Sequence, residues 1–128
     1  MTRTALAVAA AVLIGSAAYG KVLTNVPNNA VTVTDYYKQS VYDPSDHKIG
    51  EIKDVLIGQD GKVEAVIISV GGFLGAGEKD VAVPFSDIKA TKKNDKTYLT
   101  MNANKDELKN APGMKYDRQS TRWMPEKG

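Results

Sequence analysis

Residues 50–85 read GEIKDVLIGQDGKVEAVIISVGGFLGAGEKDVAVPF. Two apolar runs flank a turn at residues 59–62, a glycine-rich loop follows, and a third run closes at residues 83–85. Seven of the eleven glycines of the chain lie in this stretch, and glycine adopts the backbone conformations that tight turns require. Sharp turns between short apolar runs predict a small, twisted β-barrel.

The composition of the chain narrows its class. The chain has 128 residues, with 17 basic and 15 acidic side chains and no cysteine, and this length allows one domain. A net charge of +2 is too small for the field that would indicate nucleic-acid binding, so we expect no nucleic-acid partner. A chain without cysteine forms no disulfide, thiolate metal site or cysteine nucleophile.

The first twenty residues have the three-part layout of a secretory signal peptide. Arg3 supplies the positive charge, residues 5–15 form an uncharged apolar run, and small residues follow. Ser16 and Ala18 satisfy the small-x-small cleavage rule, so we predict a signal peptide over residues 1–18, with cleavage after Gly20 as the alternative. The apolar run is shorter than the roughly 20 residues of a spanning helix. We therefore expect a periplasmic protein with no integral membrane span after leader removal.

The remaining chain is divided by its local patterns. Residues 19–32 are expected to be a linker, because proline and asparagine break any period there. The apolar residues of 49–57 do not alternate cleanly, which indicates a β-bulge, whereas 63–70 is apolar on both faces, as in a central strand. Residues 92–96 read as a polar hairpin tip between two further strands.

A short helix is expected after the last of these strands. Asn104 followed by Glu107 has the pattern of a capping box, and Pro112 ends the helix. The predicted fold class is therefore all-β, a small barrel of about six short strands with a short C-terminal helix. Residues 113–128 are expected to form a basic and aromatic C-terminal tail.

Several segments resemble the PRC-barrel domain family: 42–43 (YD), 49–52 (IGEI), 60–62 (DGK), 70–75 (VGGFLG) and 78–85 (EKDVAVPF). The resemblance extends over residues 33–112 and implies a PRC-type barrel. Together with the leader, it is similar to the small exported PRC-barrel proteins of the rhizobial type. Because no catalytic residue set belongs to the family, the resemblance implies an interaction or scaffold module without a cofactor, and no enzyme.

Asp43, Asp46 and His47 are weak candidates for a metal site. Imidazole and carboxylates suit zinc or manganese, but aspartates in an exposed turn also bond their own backbone, and no second layer of supporting groups is evident. We expect no metal, and we keep a small-ligand or divalent-metal-binding envelope stress protein as the alternative function. Four further aspartates are expected to be solvated turn residues: Asp54, Asp60, Asp80 and Asp87.

Phe73, Leu74, Arg122 and Trp123 are the candidate partner contacts. The glycine spacing around Phe73 and Leu74 does not match a phosphate-binding loop. Apolar residues in such a loop form either a contact surface or a plug of the barrel end. Arginine and tryptophan are common in interface hot spots, although the tail could instead pack on its own barrel. The favoured function is a non-catalytic periplasmic module that binds a protein or envelope partner, with self-association as a further option.

Overall fold

A computed structural model describes residues 20–71 and 77–126. The chain divides into two units, Met1–Ala30 and Val31–Gly128. In the first unit, residues 20–30 form coil and turns, and Val22, Leu23 and Val26 are exposed. The predicted signal peptide, residues 1–18, lies outside the described residues. Within the described ranges, no helix has the length and apolar character needed to cross a membrane.

The second unit is built on a six-stranded sheet. Its strands are β1 (Ser40–Tyr42), β2 (Lys48–Ile57), β3 (Val63–Val70), β4 (Lys79–Pro84), β5 (Ile88–Lys93) and β6 (Lys96–Met101). They are arranged in the order β4-β3-β2-β1-β6-β5. β1 and β6 run parallel, and the other neighbouring strands run antiparallel. The prediction of an all-β fold with about six short strands is confirmed.

The sheet has the bulge and the central strand that the sequence indicated. The register of β2 against β3 shifts between Ile52 and Asp54, which leaves Lys53 as the extra residue. A bulge of this kind bends its strand and increases the local twist. β3 lies between β2 and β4, and its residues 66–68 are fully buried. Both faces of β3 are therefore covered in the middle of the strand.

The fully buried side chains of the core are aliphatic, and β2 and β3 approach each other closely within it. Ile49, Ile52 and Leu99 are among its fully buried side chains. At Gly50, an added Cβ would lie 2.5 Å from Cγ2 of Ile68 and 2.7 Å from a backbone oxygen of β3. The two strands reach this separation because residue 50 has no side chain.

Two local predictions near the end of the sheet are also confirmed. Asn94 and Asp95 both have positive φ, 53° and 64°, as a two-residue hairpin turn requires, and they join β5 to β6. Helix α1 (Lys105–Lys109) begins at Asn104, whose Oδ1 accepts the Glu107 N–H at 2.8 Å. Glu107 Oε1 accepts the Asn104 N–H in return, so the capping box is complete.

The segment expected to be a basic and aromatic tail contains a second, two-stranded sheet. Strands β7 (Met114–Asp117) and β8 (Arg122–Pro125) form an antiparallel hairpin. Its turn is stabilised by Asp117, whose Oδ2 accepts hydrogen bonds from the backbone N–H and the hydroxyl of Ser120. β7 packs against the edge strand β4, so the hairpin is attached to the side of the larger sheet.

Candidate interaction surface

Trp123 joins the C-terminal hairpin to the bulged strand β2. Its indole Nε1 donates a hydrogen bond to Asp54 Oδ2 at 2.8 Å. The other oxygen of the same carboxylate, Oδ1, accepts the backbone N–H of Val55 at 2.8 Å. Both side chains are partly buried, and a half-buried tryptophan satisfies its single donor in this way. The two hydrogen bonds therefore hold the indole ring in one orientation on the sheet.

Lys53, the extra residue of the bulge, lies beside this tryptophan. Its Nζ lies 2.9 Å from Asp80 Oδ2 on β4 and 5.9 Å from the centroid of the Trp123 ring. The second distance is within the range of a cation–π contact. The Lys53 side chain is half exposed, so the ion pair contributes about 1 kcal/mol or less to stability. The pair orders the charges around the ring more than it stabilises the fold.

Three aromatic side chains share a shallow groove of about 510 Å³ with these charged groups. Tyr116 packs its ring against Trp123 in an edge-to-face arrangement, with centroids 5.7 Å apart and planes at 65°, a geometry that aromatic pairs prefer. Tyr37 and Tyr116 are 45% and 40% exposed. We call this surface the tryptophan groove and define it by six of its lining residues: Tyr37, Lys53, Asp54, Asp80, Tyr116 and Trp123.

Two of the aspartates that were expected in solvated turns lie in the groove instead. Asp54, on β2, contacts Trp123, and Asp80, on β4, contacts Lys53. Because β2 and β4 lie on either side of β3, they bring these two residues to the same groove although they are far apart in sequence. Asp60 does lie in a turn, where its Oδ1 accepts the Lys62 N–H at 3.0 Å. The bulge that the sequence indicated within residues 49–57 was the signal closest to this site, and the structure places it at Lys53.

Arg122 and Trp123 do not share a face of the hairpin. They are consecutive residues of β8, and successive side chains of a strand point to opposite faces. Arg122 lies opposite Asp117 in the hairpin register. The pKa of Asp117 lies below its ordinary value, mainly because the Ser120 hydroxyl donates a hydrogen bond to its carboxylate. The positive charge of Arg122 lowers this pKa further. Of these two predicted contacts, only Trp123 lines the groove.

Phe73 and Leu74 lie outside the described residues, so their role as partner contacts stays a prediction. Gly71 and Gly77, the described residues on either side of them, have φ angles of 91° and 72°. These values lie in the left-handed region that favours glycine, which accounts for glycine at these two positions.

The Asp43, Asp46 and His47 side chains do not converge on one point. Asp43 Oδ1 accepts the backbone N–H groups of Ser45 and His47, each at 2.9 Å, and its Oδ2 lies 3.4 Å from His47 Nδ1. The His47 N–H is the main cause that lowers the pKa of Asp43. Asp46 points elsewhere, because the Tyr98 hydroxyl donates to its Oδ1. Across residues 20–71 and 77–126, no group of three or more such side chains is placed to hold a metal ion.

The fold and this surface together define a small, six-stranded β-domain with an aromatic groove on one side. The model of the PRC-barrel domain family matches residues 28–108, which is more than half of the chain. The chain therefore belongs to the PRC-barrel domain family, and the resemblance stated from the sequence is confirmed. No match is found among curated proteins. PRC-barrel domains are in general non-catalytic, and they often mediate protein interactions.

Proposed function

We propose that this protein is a non-catalytic interaction module of the periplasm that binds a protein partner of the envelope through the tryptophan groove. The observation that carries the proposal is the Trp123–Asp54 hydrogen bond. It holds a partly buried indole ring in a groove that is also lined by two exposed tyrosines, Tyr37 and Tyr116. Tyrosine and tryptophan are the residue types that protein interfaces favour at their centres.

The groove also has the rigidity that favours binding. Trp123 and Tyr116 pack on each other, and Asp54 orients the indole with a carboxylate whose two oxygens both accept hydrogen bonds. Side chains that are already ordered lose less conformational entropy when a partner binds. The charged groups at the groove, Lys53 and Asp80, give it a polar component that can select among partners.

The periplasmic location rests on the leader sequence, and the absence of catalysis rests on the family. The layout of residues 1–20 is that of a secretory signal peptide, and PRC-barrel domains are in general non-catalytic. Self-association would use the same groove with a second copy as the partner. The mass of a crosslinked product distinguishes these two kinds of partner.

The test places a photoreactive amino acid at position 115, which lines the groove, or at position 62, in the turn after β2. Both positions are exposed lysines in the wild type, so they form a matched pair. In intact cells we expect one discrete crosslinked product from position 115 and none from position 62. The double variant Tyr37→Ser, Tyr116→Ser should lose that product, because it removes the exposed aromatic surface and leaves the Trp123–Asp54 bond in place.

Ile57→Ser serves as the control for loss of exposed apolar surface, since Ile57 is 64% exposed and does not line the groove. It should retain the product from position 115. Equal crosslinking from positions 62 and 115, or a product unaffected by the double tyrosine variant, would show that the groove is not the binding surface.

A further inference from the structure

The two edges of the six-stranded sheet differ in how they are covered. β4 forms one edge, and there β7 packs against it, while Lys79 Nζ donates to the carbonyl oxygen of Lys109 at 2.6 Å. β5 forms the other edge. Its residues 89–93 are all exposed, and none of them has a backbone hydrogen bond to a described residue outside the β5–β6 ladder. Among the residues that the structure describes, none pairs with the outer edge of β5, which is open along most of its length.

The hairpin register determines which backbone groups point outward from this edge. The two-residue turn places Lys93 opposite Lys96 as the pair that closes the hairpin, and such a pair exchanges hydrogen bonds. Bonded and non-bonded pairs alternate along an antiparallel ladder, so Thr91 and Lys89 also bond to β6. The N–H and C=O groups of Ala90 and Lys92 consequently point away from β6 and can pair with another strand.

The charges of this hairpin favour one kind of strand. Residues 88–101 contain four lysines and a single acidic residue, Asp95, and three of those lysines, Lys89, Lys92 and Lys93, lie on β5 itself. Lys93 has two neighbours of its own, the Tyr98 ring at 4.4 Å and Asp46 Oδ2 at 3.9 Å. Like charges placed opposite each other destabilise strand pairing, so these lysines oppose pairing between two copies of β5. The same charges attract an acidic strand.

We propose that the outer edge of β5 binds an extended, acidic segment of a partner protein as an added strand. The backbone groups of Ala90 and Lys92 provide the hydrogen bonds of the new ladder, which is the source of affinity in strand addition. Lys89 and Lys92 select acidic side chains on the incoming segment. This binding edge is separate from the tryptophan groove, so it goes beyond the proposed function and does not depend on it.

The test uses a synthetic peptide of about six residues, a typical strand length, with blocked ends. Its two glutamates stand three positions apart, with valine elsewhere, because Lys89 and Lys92 are three positions apart on β5 and therefore point to opposite faces of the sheet. It is titrated into the ¹⁵N-labelled mature protein, and amide shifts are followed by NMR. We expect saturable shifts centred on Ala90 and Lys92, and no binding of the same peptide with lysine in place of glutamate. The Tyr37→Ser, Tyr116→Ser variant should bind the acidic peptide as the wild type does.

Two substitutions at one position separate strand addition from charge attraction. Ala90→Pro removes an outward-pointing N–H, and proline is tolerated on an edge strand at such a position. It should weaken peptide binding about fivefold or more, the effect of losing one hydrogen bond. Ala90→Val retains the N–H and should bind within about twofold of the wild type. Lys89→Glu with Lys92→Glu should abolish binding.

Two results would overturn the proposal. The first is equal binding by Ala90→Pro and the wild type. The second is equal binding of the peptide after methylation of its backbone nitrogens, a measurement that stands even where Ala90→Pro does not fold. In either case the lysines attract polyanions in general, and a single-stranded oligonucleotide of matched charge should then bind as well as the peptide does.

Discussion

The indole N–H of Trp123 donates to Asp54 Oδ2 at 2.8 Å, between residues 69 positions apart in the chain. Asp54 lies beside the bulge of β2, and Trp123 lies on the C-terminal hairpin. The hairpin follows the segment that matches the family, residues 28–108. This hydrogen bond therefore attaches an additional element to the six-stranded sheet, and the groove forms between the two.

We expect Trp123 and Asp54 to be energetically coupled. Trp123→Phe removes the N–H donor and leaves Asp54 Oδ2, which is partly buried, without its hydrogen-bond partner. The free energy of unfolding should therefore fall by about 1–2 kcal/mol. Asp54→Ala should have an effect of similar size. In the double variant, the loss of unfolding free energy should be smaller than the sum of the two single losses by a coupling energy of about 1 kcal/mol. Urea unfolding of the wild type and the three variants measures this difference.

The control for this cycle pairs Trp123→Phe with Asp60→Ala, since Asp60 contacts its own turn. Those two changes should add within about 0.5 kcal/mol. Additive effects of Trp123→Phe and Asp54→Ala would contradict the claim that the bond joins the hairpin to β2.

Gly50 and Gly58 should respond differently to the same substitution. At Gly50, a Cβ would meet the Ile68 side chain and the Ser69 carbonyl oxygen, neither of which can move without separating β2 from β3. Gly50→Ala should therefore lower the free energy of unfolding by about 1–3 kcal/mol. At Gly58 the nearest atoms belong to the carboxylate of Glu64, the end of a flexible side chain. Gly58→Ala should cost less than about 1 kcal/mol in the same thermal or urea unfolding experiment, and equal losses at both positions would refute the argument.

The turn at Asp43 should make stability depend on pH in the acidic range. Hydrogen bonds from the backbone N–H groups of His47 and Ser45 hold the pKa of Asp43 below its ordinary value of 3.8. The unfolded chain therefore takes up the proton first as pH falls. The stabilisation is complete above about pH 4 and is lost as pH falls through the lower, folded pKa.

The comparison with Asp43→Asn isolates this group from the other carboxylates. The difference in melting temperature between wild type and Asp43→Asn should be largest above about pH 4 and should shrink towards pH 2. A difference that is constant across this range would mean that the carboxylate charge of Asp43 does not stabilise the turn.

If residues 1–18 are the predicted signal peptide, they should be removed during export. We expect the protein recovered from the periplasmic fraction to begin at Tyr19 or, with the alternative cleavage, at Lys21, as read from its intact mass. A variant without residues 1–18 should remain in the cytoplasmic fraction. Recovery of the full-length wild type from the cytoplasm would contradict the predicted signal peptide.

Much of the fold was predictable because its signals act over a few residues. The bulge at Lys53, the hairpin tip at Asn94 and the capping box at Asn104 each depend on the preferences of adjacent residues. The parallel pairing of β1 with β6 joins residues 41–42 to 99–100. No pattern within a short segment predicts a pairing between residues so far apart in the chain. The hairpin of β7 and β8 was also not predicted, because a basic and aromatic segment is compatible with several structures.

The candidate surface was less predictable for the same reason. The sequence marked Arg122 and Trp123 together, but strand alternation places them on opposite faces of β8. Which face meets the sheet depends on where the hairpin lies against β4, and β7 provides that contact. Asp54 and Asp80 looked like turn residues, since the strands that bring them to one groove come together only in the folded chain.

By itself, the sequence determined the class of fold, the family and the positions of the turns. The conformational preferences of glycine, apolar periodicity and capping patterns are properties of short segments of sequence, so they do not depend on the folded structure. The tertiary structure alone decided that Trp123 meets Asp54, that Lys53 meets Asp80, and that the edge of β4 is covered while that of β5 is open. These contacts depend on the order of strands in the sheet, which forms only when residues distant in sequence pack on a common core.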